Sequence, residues 1–233
     1  MRINKYLSDC GAASRRACDL LVAEGRVKIN GKTALVGQDV NLRNDTVTLD
    51  GVKIVLAKKH SYIMLNKPKG CICSRSDEKG RKTVYDYIDL KERLVSVGRL
   101  DYDSEGLLIL TTDGGLVNYL THPSNEIPKT YRVKIEGGIA ESELAVLRAG
   151  VVIDGVKTSR ARIKLLDFKE GVSHLEMTIY EGRNRQIKKM FESAGKRVIF
   201  LKRVAVGDLR LGGLSRGAYR ELTDAEVNYL KRL

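Results

Sequence analysis

Between residues 129 and 138 the sequence reads KTYRVKIEGG, with Tyr131, Val133 and Ile135 at every second position. This alternation is the tightest constraint in the chain. A strand turns successive side chains to opposite faces, so these three residues define one face to bury. ARIKLLDF (161–168) and HLEMTIY (174–180) read as a strand pair turning at Gly171, and KRVIFLKRVAVGDL (196–209) as a further strand. SYIMLNKPKG (61–70) begins as a strand and turns at Pro68-Lys69-Gly70. LVSVGRL (94–100) and GLLILTT (106–112) are apolar, β-branched-rich runs of the kind that form strands. One segment changes period. In RQIKKMFESAG (185–195), Ile187, Met190, Phe191 and Ala194 share a helical face, and Gly195 ends it. The larger part is expected to be α+β, with a mostly antiparallel sheet and few helices.

The first 60 residues form a smaller α+β module. Ile3, Tyr6, Leu7 and Cys10 recur at helical spacing, and Gly11 ends that turn. Ser14 suits the N-cap of RRACDLLVAEG, where Ala17, Leu20 and Leu21 give an expected apolar stripe closed by Gly25. Two hairpins follow, one around Asn30-Gly31 and one around Asp50-Gly51. The basic residues Lys5, Arg15, Arg16 and Lys28 lie off the apolar stripes, free to face a partner. AKKHS (57–61) lacks apolar periodicity and is the expected linker between residues 1–60 and 61–233.

Charge narrows the class of partner. The net charge is +13. Residues 182–220 hold eleven Lys or Arg against Glu192 and Asp208, a net +9, and residues 1–60 carry +5. Two separated basic segments point to a polyanion, most commonly nucleic acid. No apolar run approaches the roughly 20 residues of a membrane span, and the first residues lack the apolar core of a signal peptide. The chain is therefore expected in the cytoplasm. The four cysteines (Cys10, Cys18, Cys71, Cys73) are too few and too uneven for a disulfide framework. Cys71 and Cys73 read as small apolar residues on a strand. Neither GxxxxGK[ST] nor GxGxxG is present.

Candidate chemistry centres on GRLDYDSEG (98–106), where Asp101, Asp103 and Glu105 alternate. A calcium loop fails, because its twelfth position falls on Thr112 where a bidentate Glu is required. A metal-dependent nuclease remains a minor alternative, since an extended segment would put all three carboxylates on one face. A single nucleophile is the third reading. An Asp held dry beside its target carbon can attack it, and a cation from Arg99, Arg185 or Lys188 would favour its charged form. Spacing alone favours a fourth reading, a turn-forming Asp before a strand.

Taken together and in order, GRLDYDSEGLLILTTDG, KTYRV and EGRNRQIKKMFESAGKRV resemble the RsuA/RluB family of ribosomal RNA pseudouridine synthases. LNKPKG (65–70) and LTHPS (120–124) belong to the same pattern, and residues 2 to about 50 resemble the S4 RNA-binding domain. The resemblance implies an S4-type α/β module followed by a catalytic domain with a mostly antiparallel mixed sheet flanked by helices. It implies isomerisation of a uridine within ribosomal RNA, with a lean towards the large subunit. The Asp of the GRLD motif falls on Asp101 as nucleophile, leaving Asp103 and Glu105 to shape the loop. Tyr131 matches the family's active-site tyrosine, which stacks the extruded base and can act as general base. Lys188 matches the basic position paired with the Asp, and Leu201 the apolar residue against the uracil. Arg99, Arg183, Arg185 and Gln186 are candidates for phosphate or base contacts. Ser14, Arg15, Arg16 and Lys28 would lie on the RNA-facing side of the S4 module. The implied reaction is redox-neutral and uses neither cofactor nor metal, and a monomer is expected. The competing class is a non-catalytic RNA-binding assembly factor that keeps the fold.

Overall fold

The computed structural model describes residues 1–56, 59–75, 77–90 and 92–233. Residues 57 and 58 of the expected linker lie outside them. The chain divides into two compact units. One comprises Met1–Ser61, Lys91–Leu94 and Thr112–Gly114; the other comprises Tyr62–Leu90, Val95–Thr111 and Gly115–Leu233.

The smaller unit packs two helices, α1 (Ile3–Asp9) and α2 (Arg15–Ala23), with a four-stranded antiparallel sheet. Its strands β1 (Val27–Ile29), β2 (Lys32–Thr33), β3 (Val47–Leu49) and β4 (Val52–Ile54) lie in the order β2-β1-β3-β4. Both hairpins turn where expected, on Asn30-Gly31 and Asp50-Gly51, and all four turn residues have positive φ. Ser14 caps α2, its Oγ accepting from the Ala17 amide at 3.2 Å. The buried face of α2 differs from the expected stripe. Cys18 and Val22 are buried, one turn apart, while Leu20 is 63% exposed. Cys18 has the smaller side chain but shares a face with Val22, and Leu20 does not. Ile3, Tyr6 and Leu7 of α1 complete this core with Val27 and Val47. Arg15, Arg16 and Lys28 are exposed, whereas Lys5 is paired with Asp9 one turn on.

The larger unit is built on a nine-stranded mixed sheet. Its main path runs β11 (Arg162–Lys169), β12 (Val172–Ile179), β8 (Lys129–Glu136), β13 (Val198–Val206), β7 (Glu105–Thr111), β5 (Tyr62–Lys67) and β15 (Tyr219–Glu221). β6 (Val95–Ser96) pairs with β7, and β14 (Leu209–Arg210) with β13. The hairpin of β9 (Val152–Ile153) and β10 (Val156–Lys157) stands apart. Every pair is antiparallel except β13 with β7, which is parallel. β7 is buried along its whole length, as its continuous apolar run requires.

Three helices escaped the periodicity reading: α3 (Gly114–Thr121), α4 (Glu141–Ala149) and α6 (Asp224–Leu230). Each buries only two apolar side chains, against three in α1 and in α5, too thin a stripe for periodicity to stand out. Leu116 and Leu120 of α3, with Val227 and Leu230 of α6, close a core over Leu107 and Ile109 of β7. α5 (Gln186–Ser193) matches the expected helix and buries Ile187, Met190 and Phe191. Two expectations are corrected. LVSVGRL is a strand only at Val95–Ser96, because Gly98 takes a positive φ and bends the chain away. Cys71 and Cys73 flank a single isolated bridge at Ile72 and lie on no strand.

Candidate active site

The loop that carries Asp101 leaves β6 and returns into β7, and a buried lysine holds it in place. The Lys67 side chain lies at the end of β5 with no exposure. Its Nζ donates to the backbone carbonyls of Pro68 (3.1 Å), Asp101 (3.0 Å) and Ser104 (2.9 Å). Burial pushes the Lys67 ammonium below its usual range. Three well-placed acceptors are what make a buried cation tolerable. The Gly70 amide adds a bond to the Tyr102 carbonyl at 2.8 Å, and the Ser104 amide one to the Asp101 carbonyl at 3.1 Å. At the loop's far end Gly106 has φ +109, and a Cβ there would collide with the Arg203 carbonyl oxygen. Only glycine lets β7 approach β13 so closely.

The three carboxylates do not share a face, because residues 101–104 form a turn rather than a continuing strand. Lys188, on the first turn of α5, is 5% exposed, and its Nζ lies 3.4 Å from Asp101 Oδ2. The same ammonium is hydrogen-bonded to Asp103 Oδ1. Burial disfavours the Asp103 carboxylate. The bond and charge of Lys188 outweigh this, with help from Arg185, and hold it below the usual range. Glu105 is buried and turns to a different cation, Arg216, at 3.1 Å. Arg185 caps α5 with φ 53, a left-handed conformation that a non-glycine residue adopts at a cost.

Asp101 opens onto a cleft of about 160 Å³. Tyr131 and Leu201 line it, both nearly buried, and Arg99 and Arg185 reach it as exposed side chains. β8 and β13 supply its floor. Arg203 pairs in register with Tyr131, so the two project from the same face, and Leu201 projects beside them. Lys129, two residues before Tyr131 on β8, shares that face, and a bulge between Arg203 and Ala205 inserts one residue that brings Val206 onto it too. The Tyr131 hydroxyl makes no hydrogen bond among the described residues. An apolar and aromatic slot with a paired carboxylate at its rim suits a planar ring held against a nucleophile.

Two of the expected contact residues, Arg183 and Gln186, line the cleft but are also engaged within the protein. Arg183 is paired with Glu181 at 3.1 Å and donates to the Val156 and Lys157 carbonyls at 3.0 and 2.9 Å. Gln186 accepts from the Arg183 amide at 3.1 Å and donates to Glu181 at 2.7 Å. Both fasten the turn before α5 to the β9–β10 hairpin and have few donors to spare for a ligand. The periodicity reading missed Lys67, Lys129, Ser104 and Arg203. Two carried a signal: Lys67 ends an otherwise apolar strand, and Arg203 falls in step with inward-facing Leu201.

Comparison with known proteins agrees with this geometry. A family model described as RNA pseudouridylate synthase matches residues 61–193, and the S4 domain matches residues 1–47. The Bacillus subtilis protein named ribosomal large subunit pseudouridine synthase B is 42% identical over 236 residues, covering 100% of this chain and 96% of its own. An Aquifex aeolicus RNA pseudouridine synthase is 41% identical, covering 99% and 93%. A crystal structure described as pseudouridylate synthase superposes with a TM-score of 0.72 at 32% identity, covering 99% of both chains. With a family match over more than half its length and relatives aligned nearly end to end, the chain belongs to the RNA pseudouridylate synthase family.

Proposed function

We propose that this protein converts a uridine of large-subunit ribosomal RNA to pseudouridine, with Asp101 as the nucleophile. The observation that carries the reading is the Asp101–Lys188 pair at the rim of the cleft floored by Tyr131. The name of the Bacillus subtilis relative supports the large-subunit substrate.

The target base must leave its stack to reach Asp101, at a cost of a few kcal/mol. Stacking on Tyr131 returns about 1–3 kcal/mol, and Leu201 packs against the extruded uracil. Lys188 supplies the counter-charge that fixes the Asp101 carboxylate. The N-glycosidic bond breaks, the held base rotates, and C5 joins C1′. Arg99 and Arg185, exposed at the cleft, take backbone phosphates, for which a planar guanidinium is well suited. Residues 1–60 serve as the RNA-binding domain, with exposed Arg15, Arg16 and Lys28 as its contacts, and residues 61–233 as the catalytic domain. The enzyme acts as a monomer in the cytoplasm, where its RNA substrate is found.

The test uses ribosomal RNA from cells with the gene intact, deleted, or carrying Asp101→Asn. Carbodiimide labelling with primer extension maps pseudouridine as stops across both subunits. One stop, or two adjacent stops, in the large-subunit RNA is expected to vanish in both the deletion and the Asp101→Asn strain. If every stop survives deletion, the protein is an RNA-binding factor instead.

A further inference from the structure

Two cations sit side by side on the cleft floor without a carboxylate partner. Arg203 is 4% exposed, and its one hydrogen bond runs from Nε to the Leu107 carbonyl at 2.7 Å. That bond pins the guanidinium by one edge and leaves its terminal nitrogens facing the cleft. Lys129, half-buried at the start of β8, donates to the Ile127 carbonyl at 2.8 Å. Neither forms an ion pair among the described residues. Burial and the charge of Arg203 push the Lys129 ammonium down to about 8.

Such an arrangement costs stability, because two desolvated like charges repel and each has only one carbonyl acceptor and no carboxylate partner among the described residues. Arg203 pairs in register with Tyr131, and Lys129 lies two residues before Tyr131 on β8, so both cations project from the face that floors the cleft. The site is completed by a ligand that brings negative charge or carbonyl oxygens. A phosphodiester is the poorer fit, because the RNA backbone stays at the rim, where Arg99 and Arg185 are exposed. The floor is reached by the base.

Building on the pseudouridine synthase reading, we infer that Arg203 and Lys129 hold the carbonyl oxygens of the extruded uracil and take up the negative charge it gains when the glycosidic bond breaks. Asp101 attacks C1′ as the electron pair of the N1–C1′ bond leaves with the base, giving a uracil monoanion whose charge spreads over O2 and O4. Ring rotation presents C5 to C1′, the C5–C1′ bond forms as the Asp101–C1′ bond breaks, C5 loses its proton and N1 gains one. Both cations act on the base, opposite in role to Lys188, which serves the nucleophile. Fixed donors aimed at developing charge are among the strongest sources of enzymatic rate enhancement.

The test compares wild type with Lys129→Met and Arg203→Lys on large-subunit ribosomal RNA transcripts made with uridine or with 5-fluorouridine. The fluorine makes the departing base a more stable anion. Single-turnover conversion is read by nucleoside analysis, as pseudouridine from the uridine transcript and, because the fluorinated C5 has no proton to lose, as the C-glycoside that keeps its fluorine and adds water at C6. RNA binding is read by filter retention. Lys129→Met is expected to slow conversion of the uridine transcript by on the order of 100-fold, with affinity unchanged. The deficit should shrink at least tenfold with the 5-fluorouridine transcript. Arg203→Lys should show the same partial rescue; if it fails to fold, Lys129→Met decides alone. An equal deficit on both transcripts overturns the inference, as does weakened binding at an unchanged rate, which would assign the pair to phosphate. A wild type that converts neither transcript defeats the parent reading, whereas a converting wild type with an equal deficit defeats only this one.

Discussion

Lys188 faces two carboxylates from a nearly buried position, and removing its charge leaves Asp101 and Asp103 adjacent, with only the weaker influence of Arg185 at the α5 cap. Lys188→Met should therefore slow single-turnover conversion of RNA by on the order of 10²–10³-fold, while Lys188→Arg keeps the charge and retains part of the rate. Equal loss in both variants would assign Lys188 to packing alone. At this scale the sequence was only partly legible. Asp101, Tyr131 and Lys188 are nominated by motif resemblance alone, since an Asp before a strand and a Lys on a helix are ordinary in isolation; the structure puts Asp101 and Tyr131 on one cleft and pairs Lys188 with Asp101. Arg183 and Gln186 line the same cleft. Their partners within the protein, Glu181 and the β9–β10 carbonyls, are set by tertiary contacts that no local pattern encodes. Leu20 shows the same limit in an apolar residue. Its side chain suits a core, but the helical phase set by Cys18 and Val22 turns it outward.

Among the elements, strands were easier to read than helices. Period-two alternation in β8 and β12 survives because each buries one face, giving a pattern that needs no partner to be recognised. The short helices lack that redundancy, and α6 rests on its cap. Thr223 Oγ1 accepts from the Glu226 amide at 3.2 Å, and Glu226 in turn accepts from the Thr223 amide at 2.9 Å. Arg220 adds a bond to the same carboxylate at 2.6 Å, and this interaction first, against some burial, lowers the Glu226 pKa to about 2. A folded-state value below the unfolded one stabilises the protein above the ordinary carboxyl range. That stabilisation is lost as pH falls from about 4.5 towards 2. Glu226→Gln should thus lower the Tm by roughly 2–4 °C at pH 7, with the gap to wild type closing over that acid range. Circular dichroism melts across pH read this directly. A gap independent of pH would mean that the carboxylate charge contributes nothing.

Over the whole molecule, charge and topology do separate work. The basic excess of residues 182–220 and of residues 1–60 lies in different units, so RNA affinity should draw on both. Affinity for large-subunit ribosomal RNA is expected to fall by about 10³ or more between 50 and 200 mM salt, provided at least six phosphates are neutralised. A shallow slope by filter binding would remove the electrostatic argument and leave the cleft chemistry standing. Topology acts through one pair of strands. β7 is flanked by β5 and β13, and its parallel contact with β13 joins Glu105 to Lys202, about a hundred residues later. On a ribosome adding 5–20 residues per second, β7 has emerged for roughly 5–20 s before β13 is complete. The nascent chain thus carries the Asp101 loop early but has no floor beneath it. An enzyme that modifies ribosomal RNA is therefore inert while the ribosome is still making the stretch between β7 and β13, and gains its floor only once β13 has emerged.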